Sequence, residues 1–171
     1  MTGTLWFQAV AGLRRLTPLL STLFLAVLGG LPFYLPGYAA VAPALSLMAV
    51  YYWTVHRPDL LPAPAVFAVG LFVDIVSGLP LGVHALLLLL AHAVVLAQRR
   101  FFHGKSFLVV WWGFAMVAAP ATLLTWLLLV ALAGRLIAPA PALFQLGVTL
   151  AAYPLVSWLL AWAQRRLLGR A

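Results

Sequence analysis

Cysteine is absent, and only two of the 171 residues, Asp59 and Asp74, are acidic. The first absence excludes a disulfide framework, thiol catalysis and a Cys-ligated metal. The second leaves no paired carboxylates for acid–base chemistry of the glycosidase kind. Charge of either sign is scarce, at 7% of residues, where a soluble domain carries about a quarter. A phosphate-binding glycine loop and a nucleophile elbow are also missing. Apolar residues make up 66% of the chain, and the mean hydropathy is +1.13. Apolar runs this long and this many exceed the needs of one soluble core, so the chain reads as an integral membrane protein. Its length allows one domain.

The expected fold is all-α, a compact bundle of six transmembrane helices in a single domain over residues 1–171. The runs lie at about 16–35, 38–55, 62–78, 80–98, 106–133 and 142–164. Residues 1–15 form a lead whose Trp6 and Phe7 suit the interface. Ala40-Val41-Ala42 has the form of a signal-peptide cleavage site, but the first run is longer than a usual signal core and the rest of the chain is membrane helix too. Pro18 falls near the start of the first run, where its missing N–H costs little. Pro120 and Pro154 fall inside the fifth and sixth runs and suggest kinks. Helices three and four are joined by a very tight turn near Leu79, with Pro80 suited to the first turn of helix four.

The net charge of +8 does not point to nucleic acid, because the basic residues sit in pairs at the ends of apolar runs. Six spans place both termini on one side. With that side cytoplasmic, Arg14, Arg15, Arg57, Arg99, Arg100, Lys105, Arg165, Arg166 and Arg170 lie inside and only Arg135 lies outside. This is a positive-inside pattern for N-in, C-in topology in a cytoplasmic membrane. Trp53, Trp111, Trp112, Trp158 and Trp162 fall near inner helix ends, as interface anchors do, and Tyr34 and Tyr38 near the outer face. Arg99, Arg100 and Lys105 form an inner basic rim suited to membrane lipid or a cytoplasmic filament, lipid being the plainer reading. Asp59 beside Arg57 suits a solvated loop pair, and His56 and His103 suit exposed inner loops.

Pro62-Ala-Pro-Ala-Val-Phe-Ala-Val-Gly70 resembles Pro139-Ala-Pro-Ala-Leu-Phe-Gln-Leu-Gly147. These segments open helices of opposite direction, which would suit an inverted repeat. The other helices do not keep the same offset, and coincidence is the plainer reading in a chain so rich in Ala, Pro and Leu.

Polar chemistry concentrates in residues 70–84. Gly70, Asp74, Ser77 and Gly78 share one face of helix three at i, i+4, i+7 and i+8, a small-residue face that lets a helix approach closely. An ionised Asp within a bilayer costs about 2.5–3.5 kcal/mol, so Asp74 needs partners. Three readings are open. It braces the hairpin by accepting hydrogen bonds from the amides opening helix four or from His84. It belongs to a partner site with Gly70 and Gly78. Or it relays protons with His84 and His92. Two ligands make no metal site, and a triad of Ser77, His84 and Asp74 lacks an oxyanion hole. No cofactor is expected.

Gly70-Leu-Phe-Val-Asp74-Ile-Val-Ser77-Gly78-Leu-Pro80-Leu81-Gly82-Val-His84-Ala-Leu86 resembles the hairpin of the MreD family of bacterial rod shape-determining membrane proteins, G-L-x-x-D-x-x-S-G-x-P-L-G-x-x-A-L. Outside the hairpin the resemblance is one of type: size, helix count and missing soluble domains. It implies a non-enzymatic component of the cell-elongation machinery. The implied partners are MreC, the actin-like MreB filament, and the peptidoglycan synthase RodA with its class B penicillin-binding protein. An alternative of another class is the substrate-binding membrane subunit of an energy-coupling-factor vitamin transporter, also small and six-helical, or another small carrier. The subunit role needs polar groups for a solute in the outer half, and beyond Asp74, Ser77 and His84 that half offers few. The carrier role would need the inverted repeat to be real.

Overall fold

The computed structural model describes residues 2–30, 42–102 and 104–168. Among them are six α-helices and no strand: α1 (Thr2–Gly30), α2 (Leu45–His56), α3 (Ala63–Ser77), α4 (Val83–Phe102), α5 (Phe107–Ala133) and α6 (Ala140–Ala163). α4, α5 and α6 are long and apolar enough to cross a membrane. Tyr34, Tyr38 and His103 lie outside the described residues.

Contacts at named helix ends fix the directions. Gly29 at the end of α1 lies against Leu45 at the start of α2, and Asp74 near the end of α3 bonds Gly82 and His84 at the start of α4. Ala44 and Tyr52, at the start of α2 and further along it, reach Thr149 and then Gln164, along α6 and at its end. Trp53 Nε1 on α2 donates to Ser21 Oγ on α1 (3.0 Å), Tyr51 Oη donates to the Val110 carbonyl on α5 (2.9 Å), and the Ala44 amide donates to Thr149 Oγ1 on α6 (3.1 Å). α1, α3 and α5 therefore run one way, and α2, α4 and α6 the other. Arg99, Arg100 and Lys105 mark the basic end of the bundle, and the α3–α4 turn marks the hairpin end.

At the centre is α2. Residues Ser46 to Val55 are all buried. A predominantly apolar helix without a polar stripe belongs inside a bundle, and here α1, α4 and α6 enclose it. Four of its side chains bond to neighbouring elements: beside the Trp53 and Tyr51 bonds above, Tyr52 Oη donates to Gln164 Oε1 (2.8 Å), and Thr54 Oγ1 bonds His92 Nδ1 (2.8 Å). Tyr51, Phe114 and Tyr153 pack as an aromatic cluster, with Phe114 and Tyr153 stacked at 4.3 Å and Tyr51 edge-on to Phe114 at 5.2 Å. Trp53 is 0% exposed. It is a core residue, not the interface anchor its position near a helix end suggests. Trp112, Trp158 and Trp162 are exposed.

Several boundaries differ from the sequence expectation: α2 begins at Leu45, with 42–44 non-helical, rather than near 38, α4 continues to Phe102, and two more differ at prolines. α1 is continuous from Thr2, so Pro18 lies in its interior. There the Ser21 and Thr22 hydroxyls both donate to the Pro18 carbonyl, and Ser21 also takes the Trp53 bond. α4 starts at Val83 rather than near Pro80, because residues 78–82 are spent on the turn. Gly78 (φ 65°) ends α3 in the left-handed region, and the Leu79 amide reaches back to the Asp74 carbonyl (3.1 Å), the closure of a Schellman cap. Gly82 (φ 106°) then redirects the chain into α4.

Candidate functional site

The hairpin end is built around Asp74. Its carboxylate is fully buried. Oδ2 accepts the Gly82 amide at 2.8 Å, and Oδ1 accepts the His84 amide at 2.9 Å. His84 Nδ1 lies 2.9 Å from the same Oδ1. Both oxygens already accept from backbone N–H groups, so the network assigns the Nδ1 proton to the histidine and leaves Nε2 free of this bond. These amides are among the unpaired donors at the start of α4, where an anion is favoured. One residue thus closes both sides of the turn, its carbonyl capping α3 and its carboxylate capping α4.

Gly70 lies one turn before Asp74 and sets how close the helices come. A Cβ there would collide with the Ala85 Cα and stand 2.7 Å from the Ala85 amide nitrogen. The small-residue face of α3 is thus filled by α4 of the same chain at Gly70 and Asp74. Ser77, Gly78 and Pro80 are exposed, Ser77 makes no hydrogen bond with a described residue, and Leu81 projects outward. His92 bonds Thr54, whose hydroxyl donates to the Val50 carbonyl (2.6 Å) and so accepts from the ring. Asp74, His84 and His92 form no hydrogen-bonded chain among the described residues. No cluster of three His, Asp or Glu side chains capable of holding a metal occurs there either.

The basic rim lies at the opposite end. Arg99 is partly buried, Arg100 and Lys105 are exposed, and the Lys105 ammonium stands 5.8 Å from the Phe101 ring centroid. His56 is exposed at the end of α2, stacked on Tyr52 at 4.2 Å.

The sequence reading missed a cavity of about 490 Å³ at the hairpin end. It sits beyond the N-terminus of α2, which at 12 residues is only about 18 Å long. His84, Ser77, Trp126 and Gln145 line it. Gln145 Nε2 donates to the Ala42 carbonyl (2.8 Å), and Trp126 Nε1 to the Ile137 carbonyl (3.1 Å), so side chains satisfy the non-helical backbone at this end. The sequence signal was the shortness of any uninterrupted helix between Pro43 and His56. The proposed internal repeat shares its helix starts, with Pro62 and Pro139 each just before α3 and α6. Its glycines differ: Gly70 meets backbone, whereas a Cβ on Gly147 would meet nothing within 4 Å.

Among the described residues, an all-helical bundle with apolar helices of membrane length, and a buried aspartate paired with a partly exposed histidine across two of them, defines a helical membrane protein with an internally braced hairpin. The family model described as rod shape-determining protein MreD matches residues 13–166 of the 171. The chain belongs to the MreD family, and its role is in determining rod shape at a membrane. The match does not favour the transporter-subunit alternative. No curated protein and no solved structure matches the chain significantly.

Proposed function

We propose that the chain crosses the bacterial cytoplasmic membrane six times with both termini inside. In this reading it serves the cell-elongation complex as a non-enzymatic component, docking MreC and linking the MreB filament to peptidoglycan synthesis by RodA and its class B penicillin-binding protein. The topology rests on charge: Arg57, Arg99, Arg100, Lys105, Arg165 and Arg166 belong to the basic end and Arg135 to the hairpin end, as the positive-inside rule expects. Short α2 is compatible with six spans. It is enclosed by protein, so its length need not match a hydrocarbon core of about 30 Å.

One observation carries the docking reading. The hairpin is locked by Asp74 while Ile75 and Leu81 stand 67% and 68% exposed beside it. A rigid turn with apolar side chains pointing away from the bundle suits contact with another membrane component. The Gly70–Asp74 face does not, being occupied by α4. In this reading the MreC contact lies on the Ile75 and Leu81 side of the outer hairpin. Photo-crosslinking in native membranes from probes at Ile75 and Leu81 tests this. Capture of MreC supports the assignment. Capture of a transporter ATPase module without any cell-wall protein overturns the functional reading, and capture of neither removes the contact from this hairpin.

A further inference from the structure

A second groove, of about 580 Å³, lies at the basic end between α4 and the start of α3. Its long wall is α4 from Leu86 through Leu90 and Leu96 to Arg99, and its short wall is the turn carrying Asp59 and Pro62. Apart from the nearly buried His92, the α4 wall is apolar up to Arg99. The Asp59 turn is rigid: the Leu60 and Leu61 amides close back on Arg57 and Pro58 (3.2 Å each), and Leu61 is fully buried beneath it.

Two opposite charges line the groove. Asp59 is one of the chain's two acids, and Arg99 is the partly buried member of the basic rim. They line the same groove, yet neither forms an ion pair or hydrogen bond with any described residue, and exposed Arg57 does not pair with Asp59 either. We infer that the groove seats one phospholipid bearing a primary ammonium and a phosphate, that is, a phosphatidylethanolamine of the inner leaflet. Arg99 takes the phosphate and Asp59 takes the ammonium, each through charge-assisted hydrogen bonds. One acyl chain follows the apolar wall. Leu86 to Arg99 covers about 20 Å of helix, which accommodates the roughly 15 Å depth of one leaflet's hydrocarbon. A trimethylated headgroup cannot donate to Asp59, and an anionic glycerol headgroup brings no cation to it. The inference rests on the topology proposed above, which puts this end inside.

Native mass spectrometry of the purified full chain, titrated with phosphatidylethanolamine, phosphatidylcholine and phosphatidylglycerol of identical acyl chains, tests it. The expected result is about fivefold tighter retention of the ethanolamine lipid than of the glycerol lipid, the scale of one exposed charge pair. Asp59→Asn is expected to erase that preference, and Arg99→Gln to weaken all three lipids. Neither residue has an ion-pair or hydrogen-bond partner among the described residues, and unchanged melting temperatures check that the variants remain folded. Equal retention of the three lipids, a glycerol-lipid preference, or an unaffected Asp59→Asn overturns the proposal. A photoactivatable acyl chain on the ethanolamine lipid is expected to label α4 between Leu86 and Arg99, and labelling confined to other helices likewise overturns it. Thiol accessibility of Ser106→Cys from either side of the membrane reads the topology separately. Periplasmic labelling there removes the inner-leaflet assignment, while cytoplasmic labelling with no lipid preference defeats the lipid site alone.

Discussion

Asp74 and His84 are joined twice, because Oδ1 of the aspartate lies 2.9 Å from both the backbone amide and the ring Nδ1 of the histidine. Together with the 2.8 Å bond from the Gly82 amide, this leaves the buried carboxylate three hydrogen bonds, all from within ten residues of itself. A charge that is costly in a membrane is thereby held by the chain's own backbone. The shape of the hairpin therefore does not wait on a partner protein.

Replacing Asp74 by Asn is expected to destabilise the isolated chain by about 1.5–3 kcal/mol, the range for hydrogen bonds to a charged group. The amide can accept on one side only and turns an N–H toward a backbone donor on the other. His84→Ala keeps both amide bonds and is expected to cost about 1 kcal/mol. Thermal unfolding in detergent, without MreC present, reads both. Equal losses for the two variants would place the stability of the turn in the histidine ring instead of the backbone bonds.

Gly70→Ala is expected to loosen the α3–α4 crossing by about 1–3 kcal/mol, because the added methyl meets helix backbone that cannot rotate away. Gly147→Ala, with open space around it, is the matched control and should be neutral or slightly stabilising through helix propensity. The same detergent melt distinguishes them. If Gly70→Ala melts like its control and fails only in the presence of partners, the glycine serves an external contact.

Parts of this structure were legible in the sequence for identifiable reasons. Asp74 stood out because acids are so rare, and its distance from His84 across a turn placed the two side by side. The turn itself was read too short. Proline at 80 fits a helix start equally well, and nothing in the letters reveals that Gly78 and Gly82 both adopt positive φ. The face bearing Gly70 was legible as a close-packing surface, but its occupant was not. Small residues admit any helix, and Ala85 of the same hairpin is the one that fills it. The enclosure of α2 was the least legible feature. A helix apolar all round has the same pattern whether protein or lipid surrounds it, so the burial of Trp53 and the cavity beyond α2 emerged only from packing.

The two classes of tryptophan should separate by conservative substitution. Trp53→Phe removes a buried ring nitrogen bonded to Ser21 Oγ at 3.0 Å and leaves unfilled volume, an expected loss of about 1–3 kcal/mol. Trp112→Phe alters an exposed ring and is expected to shift stability by no more than about 0.5 kcal/mol. Denaturation of the two variants in detergent micelles measures the difference. Comparable effects would return Trp53 to the role of an interface anchor.

Gly78 and Gly82 offer the sharpest separation of backbone from packing, since a Cβ at either would meet nothing within 4 Å. Any cost of substitution there is conformational. Gly78 sits at φ 65° and ψ 22°, a left-handed region that asparagine enters more readily than alanine. Gly78→Ala is therefore expected to cost about 1–2 kcal/mol, and Gly78→Asn less. Gly82 sits at φ 106°, beyond the left-handed well that asparagine tolerates, so asparagine is expected to give no relief over alanine at this position. Amide hydrogen exchange at His84 provides the local readout, because its N–H is held by Asp74 only while the turn keeps its shape. Faster exchange in Gly82→Ala and Gly82→Asn alike, with an intermediate rate in Gly78→Asn, is the expected pattern. Protection of the His84 amide in all four variants would mean that the carboxylate alone holds the start of α4, and that the glycines are dispensable to the brace.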